Sequence, residues 1–291
     1  MNSWIEAMRP RTLPVSVAGV LAGVACAIFH GQFIILPAIC CLLFALLAQI
    51  VSNFANEYFD FRNGLDRKGR EGFRRGVTEG DISPGAMLRA TIITLLLAAI
   101  PGCALIIWGG WWLILIGMIV AVFALAYSAG PYPLSHHGLG DIAVVIFFGL
   151  VPVGFTSWLM IGTTSILPQA LAIGTGVGLL AANVLIVNNY RDMDDDAAVG
   201  KHTTVVLFGR PAMRRLYLCF SCAGLLLLCA PAWSGHPLCI LPLVMLIPAW
   251  RNYRRLATHR GALLNDDLRR TAMLLLLATL LLLAESLTSL I

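Results

Sequence analysis

Four aspartates crowd into five positions of the segment Asn188–Thr204, NNYRDMDDDAAVGKHTT: Asp192, Asp194, Asp195 and Asp196. Asp192 and Asp196 are four apart, so on a helix their carboxylates share one face, roughly 6 Å apart along the axis. Like charges at that spacing destabilise a bare helix. An acidic solvated loop would explain the cluster, and so would a bound cation, for which all-oxygen ligands favour Mg²⁺ or Ca²⁺. A second stretch, NFANEYFDFRNGLD from Asn53 to Asp66, favours the cation. There Gln49, Asn53, Asn56 and Asp60 fall at i, i+4, i+7 and i+11, one continuous polar face of a helix. Two Asn-to-Asp clusters, each at the end of an apolar run, read as two halves of one site.

Mg²⁺ commonly binds through one or two carboxylates together with phosphate oxygens. A Mg²⁺-bridged diphosphate offsets the repulsion between opposed carboxylates, and Arg74, Arg75, Arg191 and Lys201 are near enough in sequence to meet its oxygens. With an apolar interior behind the head group, a lipid diphosphate fits both ends. An allylic diphosphate ionises to a carbocation once its leaving group is neutralised, and the cation must find its acceptor in a dry site. Tyr127 could face that cation with its ring, or belong to the interfacial tyrosine belt. Asp141 opens an apolar run, either as a helix-start acid favoured by the macrodipole or as an acid/base near the acceptor.

The elements that position these residues are apolar. The 291 residues are 59% hydrophobic and 12% charged, with a mean hydropathy of +0.84, against about a quarter charged in soluble domains. This excludes a soluble globular protein and implies an all-α, polytopic membrane protein, since the apolar runs reach about 20 residues. Expected spans are 13–30, 33–55, 87–108, 111–128, 142–162, 167–187, 216–233, 238–250 and 274–291. These nine would surround a central cavity, in one domain covering 1–291. The eighth is short, and Pro237, Pro242 and Pro248 make it irregular.

All twenty Lys and Arg fall in the N-terminus, 55–90, 188–215 and 251–270, and none in the alternate connections. That asymmetry places the N-terminus and both acid clusters on the cytoplasmic side of the inner membrane and the C-terminus outside. The net charge of +5 therefore tracks topology, and no nucleic-acid partner is implied. Arg9 and Arg11 suit an amphipathic segment on the anionic membrane surface. The long second connection, with Arg67, Lys68, Arg70, Arg74 and Arg75, is dense enough to bind an anion, and Ser83-Pro84 reads as an N-cap with a first-turn proline. His136 and His137, being adjacent, lack the spacing of a zinc pair. The eight cysteines read as small apolar packing residues. Glu285, near the end of the last span, is expected to snorkel to the outer surface.

On these residues the chain resembles the UbiA-type membrane prenyltransferases, and within that superfamily the MenA branch. The resemblance runs from WIEAMRPRTLP (Trp4–Pro14) through Gly209. The family's first motif, an Asn followed four residues later by Asp, is matched by Asn56 and Asp60. The menaquinone branch closes it with a further Asp after a Gly, as Gly64 and Asp66 do, whereas the 4-hydroxybenzoate branch closes two residues earlier. Glu57 stands where Asp is commoner. The second motif is matched by Asp192 and Asp196, followed by Gly200 and Thr203, and NNYRD is typical of the menaquinone branch. Tyr127 fits a family position, but the Lys that many relatives carry four residues later is Pro131 here.

The resemblance implies Mg²⁺-dependent transfer of a polyprenyl chain from its diphosphate to 1,4-dihydroxy-2-naphthoate with decarboxylation, giving demethylmenaquinone. It implies Asp60, Asp66, Asp192 and Asp196 as metal ligands, and Asn56 and Asn189 orienting the diphosphate or the ligands. Lys201 would pair with phosphate, and Gln49 with Asn53 would sit at the acceptor. Gln49 occupies the place of an Arg in some hydroxybenzoate enzymes. The competing readings are another aromatic acceptor (4-hydroxybenzoate or homogentisate), a scaffold with acidic loops, and a cation-coupled transporter. Transporters place ionisable groups near the bilayer midplane, whereas the middles of these spans are nearly bare of charge.

Overall fold

The computed structural model of the chain describes residues 3–69, 72, 74–163, 165, 167–234 and 239–289. Arg70, Pro237, Leu238, Leu290 and Ile291, which figure in the readings above, lie outside these. Among the described residues all regular structure is helical. The main helices are α1 (Pro14–Ile28), α2 (Ile35–Arg62), α3 (Pro84–Ala104), α4 (Leu113–Ala126), α5 (Gly140–Ile161), α6 (Leu167–Ala198), α7 (Thr204–Leu228), α8 (Leu246–Arg255) and α9 (Leu264–Thr288).

Six of them are long and apolar enough to cross a membrane: α2, α3 with its continuation to Gly109, α5, α6, α7 and α9 with its preceding turn. α1 and α4 are shorter apolar helices. The stretch expected as the eighth span takes another form: a 3₁₀ turn, Leu241–Met245, running into the ten-residue α8. Pro242 sits at the start of that turn, where a missing N–H costs no hydrogen bond. Outward faces of α3 and α4 carry Ile93, Leu96, Ile100, Leu115, Met118 and Val122 exposed. That arrangement inverts a soluble surface and suits hydrocarbon surroundings.

The core is built on α1, α6 and α9, which pack together and against α5 and α7. α1 can be central because it is made of small residues. Gly19 and Gly23 form a G-x-x-x-G spacing, and a Cβ on Gly23 would come within 2.7 Å of Thr156 on α5. Backbones therefore meet closely without large side chains between them.

Length decides where the polar clusters end up. α6 has 32 residues, about 48 Å at 1.5 Å per residue, against a hydrocarbon layer of about 30 Å. Its last turns, bearing Asn188–Asp196, thus project past the apolar layer, as does the 28-residue α2 with Asn56 and Asp60. Both projections lie at one end of the bundle, because Arg67 after α2 bonds Asp195 on α6 at 3.0 Å. Ser83 does cap α3, accepting from Ala86 N at 3.2 Å with Pro84 following. All eight cysteines are free, and Cys26, Cys41, Cys229 and Cys239 are buried. Glu285 departs from expectation. It is buried, and its Oε1 accepts from Leu241 N at 2.8 Å. The 3₁₀ turn supplies the hydrogen bond that snorkelling would have sought from water.

Candidate active site

α2 and α6 bring their two polar faces to a single cavity of about 160 Å³. Gln49, Asn53, Asn56 and Asp60 line it from α2, and Asn188, Asn189, Asp192 and Asp196 from α6. The helical spacings put these residues there. Asp192 and Asp196 share the inward face, while Asp194 and Asp195 point away and pair at the surface with Arg210 and Arg67. Asp60 and Asp192 keep 1% and 4% of their exposure, so each needs partners to offset the cost of removing a carboxylate from water.

Asp60 draws its partners from across the chain. Lys201 Nζ, just past α6, bonds its Oδ2 at 2.8 Å. Asn56 Nδ2 donates to the same oxygen at 3.2 Å. His136 Nε2 stands 3.5 Å from Oδ1, and neither of those two buried atoms makes a hydrogen bond. Asn56 is a saturated hub: Nδ2 also donates to Ser128 Oγ at 2.9 Å, and Oδ1 accepts from Arg75 Nη1 at 3.1 Å and from Arg9 Nη2. That uses two donors and two lone pairs, its full capacity. Three cations, Arg9, Arg75 and Lys201, thus converge on the Asn56–Asp60 pair, and all three line the cavity.

Asp192 is held differently. Arg191, its own neighbour, donates from Nε at 2.7 Å and Nη2 at 2.8 Å to its two oxygens. The same guanidinium bonds Asn188 at 2.9 Å and Asn265, at the start of α9, at 2.8 Å. This is the fork geometry of charge-assisted pairing, turned on a protein carboxylate rather than on the cavity.

Several expected site residues lie off the cavity lining. Arg191 is occupied as just described. Arg74 is half exposed at the surface, bonded to Asp81 at 2.9 Å; its guanidinium, with Ser3, holds the Asp81 carboxyl below the ordinary range. The reason is local: Arg75 is in extended backbone, where successive side chains take opposite sides, so Arg75 enters and Arg74 leaves. Asp66 sits one layer back, 3.4 Å from Arg75 Nε. Asp141 accepts from Thr204 Oγ1 at 2.6 Å, which ties the start of α5 to the start of α7. Gln49 and Asn53 line the cavity but also tie down the N-terminal segment, through Thr12 O and Met8 O, each at 3.0 Å. Glu57 faces elsewhere, accepting from Val77 N at 3.0 Å.

Arg9 and His136 were not foreseen as site residues. Arg9 is the one non-glycine with positive φ among the described residues, at 54°. Such strained backbone clusters at functional sites, but nothing in the sequence announces it beyond the adjacent Pro10. His136 carried a better signal. Adjacent side chains diverge, so while His137 stacks on Tyr132 at 3.6 Å, His136 turns to Asp60.

The residues fit a hard divalent cation: the donors are carboxylate and amide oxygens, and Asp60 Oδ1 is buried without a hydrogen bond. Among the described residues no three His, Cys, Asp or Glu side chains converge closely enough to hold a metal by themselves. Oxygens of a substrate would complete the shell. Behind the polar cavity lies an apolar one of about 390 Å³, bounded by α1 to α5. Gln49, Ser52, Tyr127, Val144 and Phe148 line both, so head-group and tail spaces adjoin.

Comparison with known proteins bears on the family and the fold. A sequence model of the UbiA prenyltransferase family matches residues 16–278. The chain is 38% identical over 233 residues to a 1,4-dihydroxy-2-naphthoate octaprenyltransferase of Escherichia coli (strain K12), covering 78% of this chain and 75% of that protein. A protein of the same name from Mycobacterium leprae is 33% identical over 246 residues, 83% of each. The fold matches that of a UbiA homologue from Archaeoglobus fulgidus bound to GPP and Mg²⁺, with a TM-score of 0.70, 18% identity and 99% of both chains covered.

Proposed function

The chain belongs to the UbiA prenyltransferase family and is an aromatic prenyltransferase, and on that premise we propose its reaction: transfer of a polyprenyl chain from an allylic polyprenyl diphosphate to 1,4-dihydroxy-2-naphthoate. The carboxylate leaves as CO₂, giving the prenylated naphthalenediol, demethylmenaquinol, the reduced form of demethylmenaquinone. The observation that carries this reading is the pair of adjoining cavities, one polar with both acid clusters, one apolar, sharing five side chains. Identity of 38% and 33% to two naphthoate octaprenyltransferases supports the acceptor.

In this reading Asp60, Asp192 and Asp196 hold Mg²⁺, with Asn56 and Asn189 orienting ligands and Asp66 acting through Arg75. When bound, the metal supplies Lewis-acid neutralisation of the departing diphosphate. Arg9, Arg75 and Lys201 bind the diphosphate oxygens, a revision of the set expected from sequence, since Arg74 and Arg191 are spent elsewhere. Already gathered at the cavity before the substrate arrives, their charge stabilises the leaving group once they exchange their protein partners for its oxygens. Tyr127 lines the junction where the allylic carbon would lie and presents its ring to the cation. Gln49 and Asn53 face the acceptor, while Asp141 stays bound to Thr204 and has no part at the cavity wall.

The chain would form one domain with nine membrane passages in the inner membrane, the eighth made by the Leu241–Met245 turn and α8 together, its N-terminus and the acid clusters in the cytoplasm. The basic connections carry this orientation. One assay tests the reaction: purified protein, a polyprenyl diphosphate and Mg²⁺, offered dihydroxynaphthoate or 4-hydroxybenzoate in separate reactions. Prenylated naphthol product is expected; product from hydroxybenzoate alone would overturn the acceptor assignment.

A further inference from the structure

The bond broken in the proposed reaction joins a charged head to an apolar tail. Its place in the molecule is therefore where the two cavities meet. Of the five side chains that line both, Tyr127 and Phe148 are the two large aromatic ones. Phe147, the neighbour of Phe148, lines only the apolar cavity. Consecutive residues seldom reach the same side of a regular α-helix, because each step turns about 100° at 3.6 residues per turn. Here both lie in a π-helical turn, Val145–Leu150, inside α5. Such single wide turns inside α-helices occur frequently at functional sites.

The turn is wedged in place. A Cβ on Gly149 would meet Gly174 O on α6 at 2.2 Å, and one on Gly19 of α1 would meet Phe148 O at 2.7 Å. With α1 and α6 pressed against it, the backbone that carries Phe148 cannot move away from the junction. Phe147 is fixed separately, its ring 4.6 Å from that of Phe123.

Building on the prenyl-transfer reading, we propose that Phe148 keeps water from the allylic carbon, and so decides whether the cation is captured by the aromatic acceptor or by water. In productive transfer the C–O bond breaks with its electron pair leaving on diphosphate, a C–C bond forms to the ring, and CO₂ departs. In the competing reaction water adds to the same carbon and a proton is lost, giving prenyl alcohol and diphosphate. Water is the only added reactant. Phe148 acts against it by filling the junction with a side chain that offers water no hydrogen bond.

The test measures prenyl alcohol released by the purified full chain from geranylgeranyl diphosphate and Mg²⁺, with and without dihydroxynaphthoate. Without acceptor, Phe148→Leu should release alcohol about tenfold faster than wild type. With acceptor, its ratio of alcohol to prenylated product should rise by a similar factor, while KM for the diphosphate stays within about twofold. Phe147→Leu should alter KM and leave the ratio as in wild type, because it touches only the tail space. Should the leucine variant fail to accumulate, Phe148→Met provides the same comparison at similar volume. Unchanged alcohol release in the Phe148 variants, or an equal rise in Phe147→Leu, would overturn the proposal. Failure of the acceptor assignment would look different: wild type would form no product from dihydroxynaphthoate, while the acceptor-free arm still reported on Phe148.

Discussion

On α2 the Asn56–Asp60 pair is surrounded by cations from elsewhere in the chain: Arg9 before α1, Arg75 in the second connection and Lys201 beyond α6. On α6 Asp192 is held by its own neighbour, Arg191, which leans on α9 through Asn265. The first cluster exists only when the fold is assembled; the second is largely made by one helix. A substrate with several negative charges meets both halves differently. Near α2 it finds cations able to exchange a protein carboxylate for phosphate oxygens. Near α6 the fork of Arg191 is already closed on Asp192.

The hardest test of this contrast removes the acids themselves. Asp60→Asn and Asp192→Asn should each lower kcat by about 10³-fold or more, since each deletes a carboxylate that would hold the Mg²⁺ neutralising the departing diphosphate. Turnover is read by product formation, and insertion by extraction and thermal stability in detergent. If one variant stays within tenfold of wild type, the two clusters do not serve one site. Chelation is the companion experiment. EDTA should abolish turnover and Mg²⁺ restore it, and activity that ignores the chelator would remove the metal from the account.

A finer cut separates the cations. Lys201→Met should raise KM for the diphosphate and cost about 100-fold in kcat/KM, because it strips a substrate partner and leaves buried Asp60 short of its closest cation. Arg191→Met should act otherwise. As a group that positions a carboxylate, it should raise the Mg²⁺ requirement about 10- to 100-fold, with a lowered Tm, and leave the KM for diphosphate at saturating Mg²⁺ nearly unchanged. Equal KM effects in the two variants would erase the distinction between the halves.

The sequence made the helical part of this arrangement readable. Spacing of four put Asp192 and Asp196 on one face, and the i, i+4, i+7, i+11 series put Gln49 through Asp60 on another; both faces line the cavity. Within a regular helix, spacing alone fixes direction. Outside helices it does not. Arg9 reaches Asn56 from a left-handed backbone position, and His136 reaches Asp60 from a turn whose carbonyl is bonded by His202 N at 2.9 Å. Those directions come from contacts with distant elements, which carry no local periodicity. The irregular Leu241–Met245 segment escaped for the same reason: its prolines signalled an interruption, but not that a buried Glu285 would anchor it.

Arg74 is where the contrast predicts almost nothing, and that makes it informative. It stands beside Arg75 in sequence and carries the same charge, so a binding role based on net positive charge in the loop would weigh the two equally. In the structure Arg75 bonds Asn56 at the cavity, while Arg74 lies outside, paired with Asp81 at 2.9 Å. Exposed pairs of this kind contribute little, because water and salt screen them. Arg74→Ala should therefore change KM for the diphosphate by no more than about twofold, at low and at physiological salt alike, while Arg75→Ala raises it about tenfold or more. A comparable loss in both variants, shrinking together as salt is added, would mean that the loop attracts substrate by its overall field. The cations that matter would then not be the three that converge on Asn56 and Asp60.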